Sequence, residues 1–276
     1  MKNRVLSISQ EHYFTHLLER FDMTDAKPAK TPLPTDFVAR EATDEEHASA
    51  KDLPYREIVG SVMYGATITR PDLAYSAGLL ARFMSKWSKE HFRAAKHLLR
   101  YVKGTVDLAL TFDASTCERT LQGFVDSDWG GCLTSRRSTS GFANVLFGGL
   151  VAWKSRRQPT VALSTMEAEL SAGCDATKQA AWLRQILQDL HVPVKGPIRY
   201  FCDNQGAIAA AANPGQHDKR KHMGMKAHYV TDEVKGGRVA FDYIPTEDNA
   251  ADLLTKPLDR HKTAKFARAL GLLPRK

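Results

Sequence analysis

Four carboxylates stand where strand and helix signals begin or end, and their type suits divalent-cation chemistry on a phosphodiester. Asp126 lies in Gly123-Phe124-Val125-Asp126-Ser127-Asp128-Trp129, where apolar residues beside a glycine read as a β-strand delivering acidic side chains to the mouth of a sheet. Asp203 closes a second strand, Tyr200-Phe201-Cys202-Asp203. Glu169 falls within a helical run that starts near Ser164, and Asp252 opens a last short helix, Asp252-Leu253-Leu254-Thr255-Lys256. Attack of water on a phosphodiester needs both the incoming and the departing oxygen stabilised, which two metal ions about 4 Å apart can do. Magnesium prefers oxygen ligands and keeps several waters, so carboxylates are the right side chains for it, and histidine or cysteine the wrong ones. Clustered anions repel one another. Without metal at least one should resist ionising, and metal binding should release protons.

The residues around these four carry weaker signals. Glu167 competes with Glu169 for the helix position, because residues two apart cannot share a helical face. Ser164 followed three residues later by Glu167 also fits a capping box. Asp128 reads as a turn aspartate beside the site, and Trp129 and Trp153 read as core or hairpin packing. His222 and His228 are six apart, off the spacing of paired ligands on one helix face, and read as structural or phosphate-facing. Cys117, Cys132, Cys174 and Cys202 show no CxxC pairing, which argues against structural zinc and for buried free thiols.

The chain of 276 residues is long enough for two ordinary domains, with 43% hydrophobic and 25% charged residues, the values of a globular protein. No apolar run approaches the length of a membrane span and no secretory signal is evident, so cytosol or nucleus is the expected location. Lysine and arginine number 39 against 31 acidic residues, a formal charge of +8 that favours a polyanionic partner. Arg136-Arg137, Lys154 with Arg156-Arg157, and Lys219-Arg220-Lys221-His222 lie between the acidic positions, where a phosphate backbone could track past them. Each cluster is equally well read as a solvated face.

Elements able to position these residues follow from periodicity and punctuation. Tyr13, Phe14, Leu17, Leu18 and Phe21 repeat along a helical face, before the proline-rich extended stretch 26–34 and a polar loop. Helices are expected from Tyr55, after Arg70-Pro71-Asp72 through Leu79, Leu80 and Phe83, and through Phe92 to Val102, with Gly104 as the cap. From Leu108 the pattern turns to β. Leu108–Phe112 is expected to cover a sheet edge, and 113–116 to be a domain boundary. The Asp126 strand is followed by a hairpin across Gly148-Gly149, then a long helix from Ser164 towards Leu190. A strand Ile198–Asp203, helices Gln205–Ala212 and Lys219–Lys235, and a strand Arg238–Ile244 complete the pattern, and the helix near Lys262–Leu270 reads as a docking tail. The fold class is α/β: a mixed sheet with three antiparallel strands first and parallel strands after, flanked by helices and preceded by a mainly helical segment. The expected units are 1–54, 55–115 and 116–276.

Ordered motifs across nearly the whole chain resemble the end of a copia-type (Pseudoviridae) retrotransposon Pol polyprotein. They are Tyr55-Arg56-Glu57-Ile58-Val59-Gly60-Ser61, Arg70-Pro71-Asp72-Leu73, Leu99-Arg100-Tyr101-Val102-Lys103-Gly104-Thr105, Asp126-Ser127-Asp128-Trp129, Arg137-Ser138-Thr139-Ser140-Gly141, Ser164-Thr165 with Glu167-Ala168-Glu169, Cys202-Asp203-Asn204-Gln205, and Ala251-Asp252 with Leu254-Thr255-Lys256-Pro257-Leu258. The resemblance implies that 116–276 is a five-stranded ribonuclease H-like domain cutting the RNA strand of an RNA–DNA hybrid. It implies two Mg2+ ions, with Mn2+ able to substitute, held by Asp126, Glu169, Asp203 and Asp252 as the catalytic residues. Asp126 would bridge both ions, Asp203 and Glu169 would hold one, and Asp252 the other. The Ala-Glu-Leu frame resembles the ribonuclease H helix and favours Glu169 over Glu167. Contacts to 2′-hydroxyls and phosphates would come from Asn204, Gln205, Arg136, Arg137, Lys154, Arg156, Arg157 and Lys221. Asn204-Gln205 is equally well read as a helix cap after a strand.

The first part resembles the thumb and connection of a reverse transcriptase. The adjacent-aspartate polymerase motif is absent from this sequence, so polymerisation by this chain alone is not expected. The rest of the polyprotein is a further expected partner, and a virus-like particle a further expected location. Two departures stand out: Gly224 replaces an acidic residue common in the family, and no histidine lies in the approach Pro245–Asn249 to the last carboxylate. Gly224 and the missing polymerase palm motivate the alternative of a catalytically silent remnant that binds nucleic acid or a polymerase partner, and the missing histidine implies slow turnover.

Overall fold

The computed structural model describes residues 4–34, 36–115, 120–213 and 224–275. Its first part is a helical unit with a short strand at its start: β1 (Val5–Ile8), α1 (Glu11–Arg20), α2 (Asp44–Ala48), α3 (Tyr55–Ile68), α4 (Ala74–Ala81) and α5 (Lys89–Lys103). One face of each long helix supplies the core, with Ile58, Val59 and Val62 of α3 against Leu98, Leu99 and Val102 of α5. Ser88 opens α5, its N–H donating to His91 Nδ1 at 3.1 Å while its hydroxyl accepts the His91 N–H. The Arg70-Pro71-Asp72 break is filled by a buried ion pair. Arg70 Nη2 lies 2.7 Å from Asp72 Oδ2, Tyr101 Oη donates to the same oxygen at 2.9 Å, and Arg70 Nη1 donates to Thr105 O at 3.0 Å.

The second part is organised on β3 (Gln122–Asp128), β4 (Thr139–Leu146), β5 (Gly149–Arg157), β6 (Ile198–Cys202) and β7 (Val239–Tyr243), in the order β5-β4-β3-β6-β7. β3, β4 and β5 are antiparallel neighbours, whereas β6 runs parallel to β3 and β7 parallel to β6. This is the mixed sheet expected from the order of strand and helix signals, with the five strands that the family resemblance implies. The β4–β5 turn is Phe147-Gly148, both at positive φ (54° and 75°), so the reversal falls one residue before the expected Gly-Gly pair. Gly149 is already in β5, and a Cβ there would meet Thr111 O at 2.5 Å.

Strand alternation sends Val125, Phe142 and Tyr200 to one face of the sheet. There they meet Ala172, Ala176, Ala180 and Leu183 of the long helix α6 (Thr165–Asp189), whose small residues let the helix come close. Helices α7 (Gln205–Ala212) and α8 (Gly224–Lys235) pack beside it through Ala207, Ala210 and Val230. The expected helix over 219–235 is thus seen from Gly224, and its first part lies outside the described residues. Ala143, Val145 and Leu150 face the other way, onto a 3-10 turn (Ala250–Leu254) and α9 (Arg260–Ala269).

One expectation is corrected. α9 is no docking tail: Phe266 and Leu270 are fully buried in the core with Leu150 and Leu254, and such burial is worth about 2–3 kcal/mol for an aromatic side chain. Leu108–Phe112 does lie against the edge strand β5 at its start, with Asp113 N–H on Phe147 O at 2.8 Å. It forms β2 (Leu108–Asp113), the middle of a three-stranded antiparallel sheet between β1 and β8 (Leu272–Pro274). Among the described residues no helix is long and apolar enough to cross a membrane.

Candidate active site

The four carboxylates predicted from the sequence converge at one end of the five-stranded sheet. Asp126 is buried near the end of β3, and its Oδ2 accepts the Thr255 hydroxyl. Glu169, on the first turns of α6, accepts the Ser127 N–H at 3.0 Å on Oε1, while Cys202 Sγ lies 3.8 Å from Oε2. Asp203 follows β6 and accepts the Thr246 hydroxyl at 2.7 Å. Ligand atoms of Glu169, Cys202 and Asp203 all lie within 4.8 Å of one another. Asp252 is fully buried on the 3-10 turn, where Asn249 anchors the backbone through Nδ2 to Val125 O at 2.9 Å.

The turn reaches this depth because β4 has a glycine opposite Asp126. A Cβ on Gly141 would stand 2.7 Å from Thr255 Cγ2 and 2.9 Å from Leu254 Cβ.

Electrostatics ties the four together. Burial, and then the charges of Asp126 and Asp203, hold the Glu169 carboxyl well above the ordinary carboxylate range. Burial also raises Asp126, against the pull of Lys256 and the Thr255 hydroxyl, with Asp203 adding to the rise. Asp252 is pushed up to about 7 by burial and by Asp126. Lys256 Nζ sits 2.7 Å from Asp252 Oδ1 and 3.9 Å from Asp126 Oδ2. Neither Asp252 oxygen accepts an aligned hydrogen bond among the described residues. Buried, mutually repelling oxygens with unused acceptor capacity fit a hard divalent cation, which would take these four side chains as ligands. Cys202 does not belong to that set, because burial and Glu169 raise its thiol far above neutrality and a hard cation prefers oxygen.

Glu167 lies apart from the cluster. It closes the helix start, with its N–H on Ser164 Oγ at 3.2 Å and its Oε2 accepting Leu163 N–H at 2.7 Å. Asp128 ends β3 two residues beyond Asp126, on the same strand face, and burial raises its carboxyl. Trp153 donates to Ala66 O at 3.0 Å, joining β5 to α3, whereas Trp129 is no core residue: it is 50% exposed and donates to Ala162 O. Cys132 is also no buried thiol. It sits on the loop after β3, where burial raises it but hydrogen bonds from Ser135, Thr134 and Arg157 prevail and bring it to about 6.

The described basic positions do not form one surface. Pleat alternation along β5 puts Lys154 and Arg156 on the α6 face, where Lys154 pairs with Asp175 at 2.8 Å. Arg157 points the other way. With Arg82 and Asp128 it lines a cleft of about 250 Å3 between the sheet end and α4. Arg136 is exposed, and Arg137 half-buried, on the loop before β4. Asn204 caps α7, accepting Ala207 N–H at 2.9 Å, and Gln205 is the exposed first residue of that helix. Lys221 and His222 lie outside the described residues, so the His222–His228 pair is not seen as a pair.

Three residues of the site were not singled out by sequence reasoning. Lys256 and Thr255 stood in the quoted Leu254-Thr255-Lys256-Pro257-Leu258 motif, and the i,i+4 spacing of Lys256 from Asp252 was the available signal. Gln158 had none. Its buried amide donates to Ser140 Oγ at 2.8 Å and Ala168 O at 2.9 Å, fastening β4 to the start of α6.

No protein-family model matches the chain. The retrovirus-related Pol polyprotein from transposon TNT 1-94 of Nicotiana tabacum is 38% identical over 98% of this chain and 20% of that protein. The corresponding polyproteins from transposons RE2 and RE1 of Arabidopsis thaliana are 33% and 32% identical, each over 97% of this chain and 18% of the relative. The chain therefore spans about a fifth of the length of these curated relatives. Among solved structures, RNase H1 from Halobacterium salinarum NRC-1 is 18% identical with a TM-score of 0.37, covering 49% of this chain and 94% of that one. LC11-RNase H1 in complex with RNA/DNA hybrid gives 16%, 0.37 and the same coverage. At those scores it is strand order and register, not overlay, that define the fold. At 32–38% identity along nearly the whole chain, the sequence is similar to one stretch of the copia-type retrotransposon Pol polyproteins.

Proposed function

We infer that the chain is a metal-dependent endoribonuclease acting on the RNA strand of RNA–DNA hybrids. The observation that carries this reading is the convergence of Asp126, Glu169, Asp203 and Asp252 from two strand ends, a helix and a turn onto one buried cluster. Asp126 interacts with each of the other three: its charge acts on both Glu169 and Asp252, and that of Asp203 acts on it. That shared coupling suits it to two Mg2+ or Mn2+ ions, which Glu169 and Asp203 would help to hold on one side and Asp252 on the other. Bound magnesium would supply the positive charge that steadies an attacking water and a departing oxygen.

The chain's own residues do the rest. Thr255 and Ser127 N–H hold the Asp126 and Glu169 carboxylates in place, and Thr246 does the same for Asp203. Arg157 and Arg82, open to the cleft beside the cluster, suit a backbone phosphate. The remainder of a Pol polyprotein is the expected covalent or docking context of this domain.

The test is a labelled hybrid incubated with the purified chain and Mg2+ or Mn2+. The RNA strand should be cut, the DNA strand left intact, and Asp203→Asn should abolish the cut. A folded protein that binds hybrid without cutting it would replace this reading with that of a silent binding remnant, and undiminished cleavage by Asp203→Asn would remove the site assignment.

A further inference from the structure

We propose that Lys256 is a built-in counter-ion of the acidic cluster, holding the Asp126–Asp252 half together until a divalent ion binds there and then giving way to it. This rests on the metal-dependent reading above and concerns how that same site loads.

The two halves of the cluster differ. Glu169 and Asp203 converge with no lysine or arginine nitrogen within ion-pair distance of either among the described residues. Asp126 and Asp252 share one ammonium, at 3.9 Å and 2.7 Å. Asp252 is fully buried and its oxygens accept no aligned hydrogen bond, so without Lys256 it would be a buried charge with nothing to offset it.

Everything else near Asp252 is fixed. Asn249 is buried and bonded to β3, and Thr255 is bonded to Asp126. Among the described residues around Asp252, Lys256 alone is free to leave. Its side chain is 32% exposed, just past the end of the turn, on a flexible stem whose ammonium has no fixed donor geometry to lose. A single positive charge can therefore be replaced by a doubly charged ion without moving the carboxylates. Loading should then be unequal: an ion on the Glu169–Asp203 side displaces no resident cation, whereas an ion on the Asp126–Asp252 side must displace Lys256.

The experiment is Mg2+ titration by calorimetry, with thermal melts in EDTA and in Mg2+, on the full chain and on its Lys256→Met and Lys256→Arg variants. Lys256→Met should bind the weaker ion up to about fivefold more tightly, the factor set by loss of one modest ion pair. In EDTA it should melt about 3 °C or more below the parent and recover in saturating Mg2+. Lys256→Arg should stay close to the parent in EDTA. Equal or weaker Mg2+ binding by Lys256→Met overturns the proposal while leaving the metal site intact, whereas absence of Mg2+ binding by the parent overturns the functional reading as well. Acetylation of Lys256 in the unaltered protein, followed by mass spectrometry, decides the matter should Lys256→Met fail to fold. The amine should react several-fold faster in Mg2+ than in EDTA, and equal rates overturn the proposal.

Discussion

Ser127 N donates to Glu169 Oε1 at 3.0 Å, so the strand that carries Asp126 and the helix that carries Glu169 are joined through the carboxylate itself. Glu169 therefore has two separable jobs. Glu169→Gln keeps an oxygen for Ser127 and removes a charge that burial and Asp126 already disfavour. It should be at least as stable as the parent in EDTA while hybrid cleavage falls about 100-fold or more. Glu169→Ala leaves the Ser127 N–H unpaired, which should cost about 1–3 kcal/mol in chemical denaturation. Equal stability of the two variants would mean that the bond has no structural weight.

The raised carboxyls make stability depend on pH in a definite direction. Asp126, Glu169 and Asp252 are all held above their unfolded values, Asp252 at about 7. The folded chain then keeps protons that the unfolded chain has released, and folding is favoured by acid and weakened as pH rises through the folded values. In EDTA the melting temperature should decline between about pH 5 and about 7. Saturating Mg2+ should flatten that decline, because a bound cation favours the ionised carboxylates. Lys256, also raised, loses its contribution only at alkaline pH, outside this window. Melts of the parent and of Asp252→Asn in both buffers check this, with the variant showing the shallower slope in EDTA.

Gly141 allows the Asp252 turn to rest on the sheet, and the predicted effect of filling that space is local. In Gly141→Ala the new Cβ must push back Thr255 and Leu254, at 2.7 Å and 2.9 Å. Overpacking of this kind costs about 1–3 kcal/mol. Because Thr255 bonds Asp126 and the same turn carries Asp252, Mg2+ affinity should fall together with stability. A variant that loses stability but binds Mg2+ as the parent does would show that the turn moves without its carboxylate.

Much of this arrangement was legible in the sequence because it is local. Apolar runs ending in aspartate marked β3 and β6, the Ser164–Glu167 spacing marked the start of α6, and alternation of strand and helix implied the mixed sheet. What escaped depends on distant pairing. β1 is exposed at every position, so no buried face announces it, and its partner β2 lies about a hundred residues on. β8 is three residues long, and α9 is core rather than tail because Phe266 and Leu270 pack on Leu150 and Leu254, contacts that no local pattern announces. Arg70-Pro71-Asp72 read as a helix start, yet the side chains form a buried ion pair that needs Tyr101 and Thr105 to complete it. Lys256 was visible as a letter, but its role exists only once Asp126 is folded against Asp252.

The split of the basic residues across β5 yields the last prediction. Lys154, Arg156 and Arg157 look like one patch in sequence, but successive side chains leave opposite faces of a strand. Lys154 is spoken for by Asp175, whereas Arg157 lines the cleft with Arg82 and pairs in register with Thr139, itself opposite Asp128. Strand geometry puts the Arg157 and Asp126 backbones about 12 Å apart on the same face, within reach of successive phosphates of one strand. Arg157→Ala should therefore weaken hybrid binding, measured in Ca2+ to prevent cutting, and reduce the slope of log affinity against log salt by about 1. Lys154→Ala should leave both unchanged. Equal losses from the two would mean that the strand lies along the α6 face and that the cleft with Arg82 is not its path.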